Sequence, residues 1–344
     1  MLEYFLSFVY YLFLVITLIH PLLWLYKELT MGICRYKGTM KGKVVLITGG
    51  NNGIGFETSV ELARRGAQLI IGCRNTQNVE NRIQNRVPGA NVDVIKLDLS
   101  STKSVNYFAE VVKSKTEIID VLINNAGMVS RDKKESVDGF DLIMATNYLG
   151  HALLNHLLID LIKRAGQIGD DCSKIILVSS WAAMDKTSVP LLCQRRSEQD
   201  YEVNFGVNKG EKNARCQYPK SKLAQIMYGK HLAKMMENEN CNTMVVSLHP
   251  GLVRTDIFNG LEGQIQQNAI RWTCFVLGKS AWQGAQTTIH LAVSNFSNAI
   301  SEMNGKFFAD CRSKNWMDFR MPKITEDPSA CKQVWDETMN LLRL

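Results

Sequence analysis

Short apolar runs alternate with amphipathic stretches along most of the chain. Runs that are apolar throughout and are separated by helices are typical of parallel strands buried on both faces. The pattern predicts an α/β fold, a single domain built on a doubly wound parallel sheet. The runs are KVVLIT at 43–48, QLIIGC at 68–73, VDVIKLD at 92–98, IDVLIN at 119–124, KIILVSS at 174–180 and TMVVSLHPG at 243–251.

Helices are predicted in the intervals between these strands. The amphipathic stretch FETSVELARRG ends at Gly66, and a long helix is expected over residues 140–166. Two more helices are expected at 104–114 and 218–236. Pro219 falls in the first turn of the latter, where a proline is tolerated because no intrahelical hydrogen bond is lost. We find no internal repeat and no interdomain linker.

The C-terminal extension, residues 314–344, is predicted to carry one more helix. Asp327 is a candidate N-cap, and Pro328 then occupies the first helical position. The apolar side chains of this helix are expected to dock it on the rest of the domain. They are Val334, Trp335, Met339 and Leu342.

The N-terminal segment, residues 1–27, differs in kind from the rest. It contains the apolar run YFLSFVYYLFLVITLI at 4–19, and LLWLY follows after Pro21. A helix needs about 20 apolar residues to cross a bilayer, so we predict an N-terminal transmembrane helix. A cleaved signal peptide is the rival, but it favours a basic start, and this start carries Glu3. Pro21 leaves an interfacial helix as a third option.

A basic tether, residues 28–42, follows the apolar segment. Positive charge next to a membrane span favours the cytosolic side. We therefore expect a cytosolic catalytic domain anchored to the endoplasmic reticulum or another intracellular membrane. The sequon at Asn295 would then stay unmodified, so its state reports the topology. The basic residues beside the span are Lys27, Arg35, Lys37, Lys41 and Lys43.

Composition excludes several classes of protein. The content is 46% hydrophobic and 21% charged, as in ordinary folded proteins, and the net charge is +7. No basic run is interleaved with aromatics, so a nucleic-acid partner is not expected. The nine cysteines form no CxxC pair. Reduced thiols are the simpler interpretation, and no metal site is predicted.

A glycine loop follows the first strand and opens the first helix. The sequence TGGNNGIG at 48–55 places Gly49, Gly53 and Gly55 in the spacing G-x-x-x-G-x-G. Glycines let the backbone approach a pyrophosphate, whose charge meets the helix N-terminus. A P-loop would continue with lysine, whereas Phe56 follows Gly55. The context of strand, loop and helix predicts a dinucleotide site.

The end of the second strand indicates which dinucleotide is bound. An acidic residue there would bind the adenosine ribose, whereas a basic one can pair with a 2′-phosphate. This strand ends at Arg74, and no carboxylate follows until Glu80. The pattern favours NADP(H) over NAD(H), with a solvated loop arginine as the alternative.

The stretch YPKSK at 218–222 places Tyr218 and Lys222 one helical turn apart. One interpretation of this pair is that the two side chains only contribute to solubility. The other is that the ammonium lowers the pKa of the phenol, so that the tyrosine exchanges protons with a substrate.

These motifs together resemble the short-chain dehydrogenase/reductases, within them the membrane-anchored retinol dehydrogenase-like group. The resemblance runs over residues 42–312 and implies a Rossmann fold, with a catalytic domain at 43–313. Beside the glycine loop and YPKSK, the matching segments are LDLSS with Asp98, NNAG at 124–127, TNYLGH with Asn147, ILVSS ending at Ser180, and HPGLVRTD at 249–256.

The resemblance implies a role for each matching residue. Tyr218 would be the acid/base, and Lys222 would bind the nicotinamide ribose and depress the tyrosine pKa. Ser180 would hydrogen-bond the substrate oxygen, with Ser179 facing the sheet. Asn147 would hold a water in a proton relay, or else satisfy a buried backbone group. The implied cofactor contacts, beside Tyr218 and Lys222, are Gly49, Asn51, Gly53, Ile54, Gly55, Arg74, Asp98, Leu99, Asn125, Pro250, Gly251 and Thr255.

Two segments affect the choice of substrate. Residues 181–217 between Ser180 and Tyr218 are longer than is usual in the family, which weakens any transfer of a retinoid preference. Residues 255–280 include IRWTCFVLG, either a lid over an apolar substrate or a helix packed on the core. We expect a hydrophobic alcohol and its aldehyde or ketone, with a retinoid first and steroid or polyprenoid lipids as alternatives. A catalytically silent scaffold is the rival class, and a homodimer stays open.

Overall fold

The structure is a computed structural model that describes residues 21, 25, 28, 31–130, 134–169, 171–197, 200–206, 217–254, 278–313 and 320–344. Three predictions fall largely or wholly outside these residues. They concern the N-terminal helix, the lid up to residue 277 with Thr255, and part of the long segment between Ser180 and Tyr218. Within the described residues, no helix is both long enough and apolar enough to span a membrane.

Seven strands form one parallel sheet in the order β3-β2-β1-β4-β5-β8-β9. The doubly wound parallel sheet is thereby confirmed. Its strands are β1 (Val44–Thr48), β2 (Gln68–Cys73), β3 (Val92–Lys96), β4 (Val121–Asn124), β5 (Ser173–Val178), β8 (Thr243–His249) and β9 (Phe307–Ala309). A separate antiparallel hairpin consists of β6 (Cys193–Arg195) and β7 (Tyr201–Val203).

Helices cover both faces of the sheet. The longer ones are α1 (Gly53–Arg64), α2 (Val79–Gln84), α3 (Thr102–Lys115), α4 (Gly150–Ile168), α5 (Ser188–Leu192), α6 (Gln217–Asn238), α7 (Ala281–Val293) and α8 (Pro328–Leu342). Short helical turns lie at Leu142–Met144, Trp181–Met184, Ser297–Ala299, Ile300–Met303 and Lys323–Glu326. Side chains of α3, α4, α6 and α8 form one apolar core with the sheet, and those of α1, α2 and α7 form the other.

The strands are apolar on both faces because both faces are buried. Every residue of β1, β5 and β8 is buried, as the unbroken apolar runs predict. The C-terminal helix α8 begins as predicted, since the Asp327 side chain accepts hydrogen bonds from the backbone N–H groups of Ser329 and Ala330. Trp335 of this helix stacks on Tyr228 of α6, with ring centroids 5.0 Å apart.

The structure departs from the sequence pattern at several elements. The long helix predicted at 140–166 is interrupted by a π-helical turn, Ala145–Leu149, in which the N–H of Gly150 donates to the Ala145 carbonyl. The edge strand β9 and helix α7 were not predicted. Part of the long segment after Ser180 folds as the β6–β7 hairpin, where the Tyr201 hydroxyl donates to Asp327 at 2.5 Å.

Candidate active site

A cleft of about 480 Å³ opens at the carboxyl ends of the strands, between the loops after β1 and β4. The strand order reverses between these two strands, and open α/β sheets bind ligands at such a point. The loops after β2, β3, β5 and β8 also reach the cleft. Its lining includes Gly49, Asn51, Gly53, Ile54, Gly55, Arg74, Asp98, Leu99, Asn125, Tyr218, Lys222 and Pro250. The structure therefore brings most of the predicted cofactor contacts together.

The glycine loop is shaped for close approach to a ligand. Gly49 and Gly53 have φ angles of 68° and 54°, where side chains are strained. A Cβ on Gly55 would lie 2.2 Å from the Gly49 carbonyl oxygen, so only glycine fits there. Asn125 braces the loop, since its Nδ2 donates to the Thr48 carbonyl at 2.9 Å and to the Gly49 carbonyl at 3.3 Å. The loop and the helix behind it fit a bound pyrophosphate.

The far end of the cleft carries the adenosine-side candidates. Arg74 is exposed there, directly after β2. The Asp98 carboxylate accepts hydrogen bonds from the backbone N–H and the hydroxyl of Ser100, at 3.0 and 2.7 Å. A second arginine was missed by the sequence analysis. Arg82 of α2 donates to the Asn51 carbonyl at 2.9 Å and lies 4.3 Å from the centre of the Phe56 ring.

Tyr218 lines the opposite end of the cleft, and Ser180 directly follows Ser179, which also lines it. Tyr218 lies in the first turn of α6, and Ser180 caps the helical turn Trp181–Met184 by accepting from the Ala182 N–H. Burial raises the pKa of Tyr218 above its ordinary value of 10.0, and a hydrogen bond from the Ser180 side chain opposes this rise. The phenol is therefore neutral at physiological pH.

Lys222 is buried behind the tyrosine. Its Nζ donates to the Val178 carbonyl at 2.8 Å and to Gln225 Oε1 at 3.4 Å, and it lies 6.0 Å from the centre of the Tyr218 ring. Burial lowers the lysine pKa to about 7. The expected depression of the Tyr218 pKa by Lys222 is not found. Burial disfavours the charged form of both groups and so determines the direction of both pKa shifts.

Asn147 lies in the π-helical turn, and its side chain is fully engaged. Its Oδ1 accepts from the Met128 N–H at 2.8 Å, while its Nδ2 donates to the Met128 carbonyl at 3.0 Å and to Ser221 Oγ at 3.2 Å. It therefore satisfies a buried backbone segment, which is the alternative to a water-holding role. π-Helical turns are frequent at functional sites.

The comparisons with known proteins agree with this architecture. Residues 43–190 match the family model described as short chain dehydrogenase. Retinol dehydrogenase 12 of Bos taurus is 33% identical over 317 residues, which cover 90% of this chain and 90% of that protein. Retinol dehydrogenase 11 of Homo sapiens is 32% identical over 326 residues, which cover 92% and 91%.

The chain belongs to the short-chain dehydrogenase family. It is thus an oxidoreductase whose fold holds a nicotinamide cofactor. A solved relative in fold, the Pseudomonas aeruginosa RhlG/NADP active-site complex, has a TM-score of 0.58 and 20% identity, covering 78% of this chain and 95% of that one. At this identity the likeness establishes the fold alone.

In this short-chain dehydrogenase, the remaining candidates lie around the mouth of the cleft. The Ser179 hydroxyl donates to the Lys222 carbonyl at 2.9 Å, and Ser179 rather than Ser180 is among the residues that line the cleft. Pro250 lines the cleft, and Gly251 follows it with φ of 95°. A Cβ on Gly251 would lie 2.8 Å from a carbon of the Lys279 side chain.

The described residues at the two ends of the segment predicted as a lid lie next to each other. The Arg254 N–H donates to the Lys279 carbonyl at 3.0 Å, and the Lys279 N–H donates to the Leu252 carbonyl at 2.7 Å. Leu252 and Arg254 follow Pro250 closely, and Lys279 is hydrogen-bonded to them. Both ends of the segment therefore lie beside the cleft. In the part of the chain that the structure describes, no cluster of His, Cys, Asp and Glu side chains could hold a metal ion.

Proposed function

We propose that the chain is an NADP(H)-dependent oxidoreductase that interconverts a hydrophobic alcohol with its aldehyde or ketone. The observation that carries the proposal is that Tyr218 and the buried Lys222 line the same cleft as the glycine loop, with Ser180 near enough to act on the Tyr218 pKa. These groups supply a proton and two hydrogen bonds at one point. The glycine loop at the other end leaves room for a dinucleotide.

The bound cofactor supplies or accepts the hydride at its nicotinamide ring. Ser180 and Tyr218 hold the substrate oxygen by hydrogen bonds, which strengthen as negative charge develops there. In the reductive direction, Tyr218 donates the proton to this oxygen, and in the oxidative direction it accepts it. Lys222 binds the ribose hydroxyls and restores positive charge beside the phenol. Asn147 keeps the Met128 backbone and Ser221 in place.

The preference for NADP(H) is supported by charge at the adenosine end. Arg74 is exposed on the cleft wall, in the position where a guanidinium can pair with a 2′-phosphate. The cleft thus offers a cation directly after β2, where the sequence has no carboxylate before Glu80.

A hydrophobic substrate is supported by the surroundings of Ser180. Trp181 directly follows it and is 55% exposed, so a large apolar ring faces solvent next to the reacting groups. The relatives named retinol dehydrogenase make a retinoid the first candidate. Steroid and polyprenoid lipids fit the same chemistry.

We also propose that residues 1–27 anchor the protein in an intracellular membrane and that residues 28–42 tether a cytosolic catalytic domain, 43–313, to it. The support is the apolar run at 4–19 and the basic residues that follow. Carbonate extraction of cell membranes tests the anchor. Release of the full-length chain into the soluble fraction would contradict it.

The decisive experiment is turnover by the purified full-length protein in detergent. All-trans-retinal, a steroid ketone and a polyprenal are each supplied with NADPH or NADH. We expect reduction of at least one of these carbonyls, faster with NADPH, and loss of turnover in Tyr218→Phe. Retained cofactor binding with no turnover of any lipid carbonyl would favour a scaffold.

A further inference from the structure

A buried histidine links the two halves of the site. His151 lies in the first turn of α4 and is 1% exposed. Its Nε2 is 2.8 Å from the hydroxyl of Thr48, the last residue of β1. Its Nδ1 is 3.0 Å from the main-chain carbonyl oxygen of Asn147. The roles implied by the motifs leave this side chain without a function.

The hydrogen-bonding partners determine the tautomer. Thr48 Oγ1 accepts from the backbone N–H groups of Asn125 and Ala126, both at 3.0 Å, which uses both of its lone pairs. Its own proton is therefore donated, and Nε2 of His151 at 2.8 Å is a nearer acceptor than the Ile123 carbonyl at 3.4 Å. Nδ1 then carries the imidazole proton and donates it to the Asn147 carbonyl. The single ring proton is thus held in the hydrogen bond to Asn147, and Nε2 carries no proton.

Each end of this link belongs to a different part of the site. Thr48 leads into the glycine loop, and the two N–H groups that it accepts come from the loop after β4 on the cleft wall. Asn147 holds Ser221, whose neighbour in sequence is Lys222. The imidazole is therefore hydrogen-bonded both to the end of β1, which leads into the glycine loop, and to the π-helical turn beside the catalytic groups.

We propose that His151 is a positioning residue, an imidazole in a single tautomer that fixes the glycine loop through Thr48 and the π-helical turn through Asn147. The inference rests on the proposed function of the same site. Burial, helped by the Lys222 charge and opposed by the hydrogen bond to Asn147, lowers the His151 pKa to about 3. The imidazole thus keeps one tautomer over the working pH range and contributes no inflection to the pH profile.

Two substitutions separate the two hydrogen bonds. In His151→Asn the amide can replace Nδ1 and keep the donor to Asn147, but the Thr48 hydroxyl loses its acceptor. In His151→Gln the amide can replace Nε2 and keep that acceptor, but the Asn147 carbonyl loses its donor. We expect His151→Asn to weaken NADPH binding about tenfold with kcat nearly kept, and His151→Gln to lower kcat about tenfold with the Kd nearly kept.

The controls separate positioning from general stability. His290→Asn and His290→Gln change another partly buried helical histidine, whose Nδ1 is 3.1 Å from Ser294 Oγ, and should leave Kd and kcat unchanged. The Kd is measured by quenching of protein fluorescence, which needs no substrate. Wild-type protein that binds no NADPH would refute the proposed function, whereas normal wild-type binding with identical behaviour of both His151 variants would refute this inference.

A second pair of variants covers a failure of the His151 variants to fold. Thr48→Ser keeps the hydroxyl and should resemble wild type, whereas Thr48→Val should weaken NADPH binding as His151→Asn does. In ¹⁵N spectra of histidine-labelled wild-type protein, the His151 signal, identified by its shift in Thr48→Val, should be that of a neutral ring protonated at Nδ1. An Nε2–H tautomer would overturn the inference.

Discussion

The Nζ atom of Lys222 lies 6.0 Å from the centre of the Tyr218 ring and donates a 2.8 Å hydrogen bond to the Val178 carbonyl. The end of β5, rather than the phenol, holds the lysine. Loss of hydration lowers the pKa of the buried lysine to about 7 and raises that of the half-buried tyrosine. The pair is thus close to neutral in the protein alone, and the charge that activates the tyrosine depends on what binds in the cleft.

Cofactor binding is therefore expected to take up a proton. Above pH 7 the free protein holds mostly neutral Lys222, whereas ribose hydroxyls and phosphates favour its ammonium form. By linkage, NADPH binding should weaken by up to about tenfold per pH unit above pH 7. Titration calorimetry at pH 8 in two buffers of different ionisation enthalpy measures the uptake, which should approach one proton. Lys222→Met should abolish the uptake, and a wild-type value of zero would contradict the argument.

Tyr218→Phe should lower kcat by about 10²- to 10⁴-fold in both directions, since it removes the proton carrier. The wild-type phenol is neutral near pH 7 because its pKa is raised above 10.0. Reduction needs this neutral form, so its rate should stay level or fall as the pH rises, whereas oxidation needs the phenolate and should accelerate. Steady-state pH profiles in both directions give the test. An oxidation rate independent of pH between 7 and 10 would count against Tyr218 as the base.

Arg74→Ala should lower kcat/KM for NADPH by about ten- to a hundredfold and change that for NADH little, because a charge-assisted hydrogen bond to the 2′-phosphate is lost. Arg82→Ala should affect both cofactors, since Arg82 donates to the Asn51 carbonyl of the glycine loop. Arg86→Ala is the matched control, because that arginine pairs with Glu57 instead. Steady-state kinetics with both cofactors checks all three, and equal losses for NADPH and NADH in Arg74→Ala would refute the phosphate contact.

The sequence predicts the sheet and the glycine loop well because their signals are local. Unbroken apolar runs predict β1, β5 and β8, and the glycine spacing predicts the glycine loop around Gly55. The edge strand β9 contributes only FFA and is too short to stand out. The π-helical turn around Asn147 is not predicted, because a single wide turn does not change the apolar pattern on either side of it.

The electrostatics of the site could not be predicted from spacing. The distance of one turn between Tyr218 and Lys222 suggests that the ammonium acts on the phenol, but burial by α6 and β5 determines both pKa directions. Arg82 and His151 were missed for a related reason. Each acts on a residue brought near by the fold, on Asn51 in the first case and on Thr48 in the second.

The C-terminal helix α8 should stabilise the π-helical turn, Ala145–Leu149, through Thr338. Its hydroxyl donates to the Val334 carbonyl at 2.6 Å and so accepts from the Tyr148 hydroxyl at 2.5 Å. Tyr148 is 1% exposed and adjoins Asn147. Thr338→Val leaves the tyrosine hydroxyl buried without a partner, which should lower the free energy of unfolding by about 1–3 kcal/mol.

Urea denaturation of the full chain in detergent measures this loss. Thr338→Ser keeps the hydroxyl and should recover most of the stability, while Asn340→Ala on the exposed side of the same helix should stay within about 0.5 kcal/mol of wild type. Because Tyr148 lies in the π-helical turn, saturating NADPH should protect Thr338→Val less than wild type. Equal stability of Thr338→Val and wild type would show that α8 only covers the core and does not hold the turn.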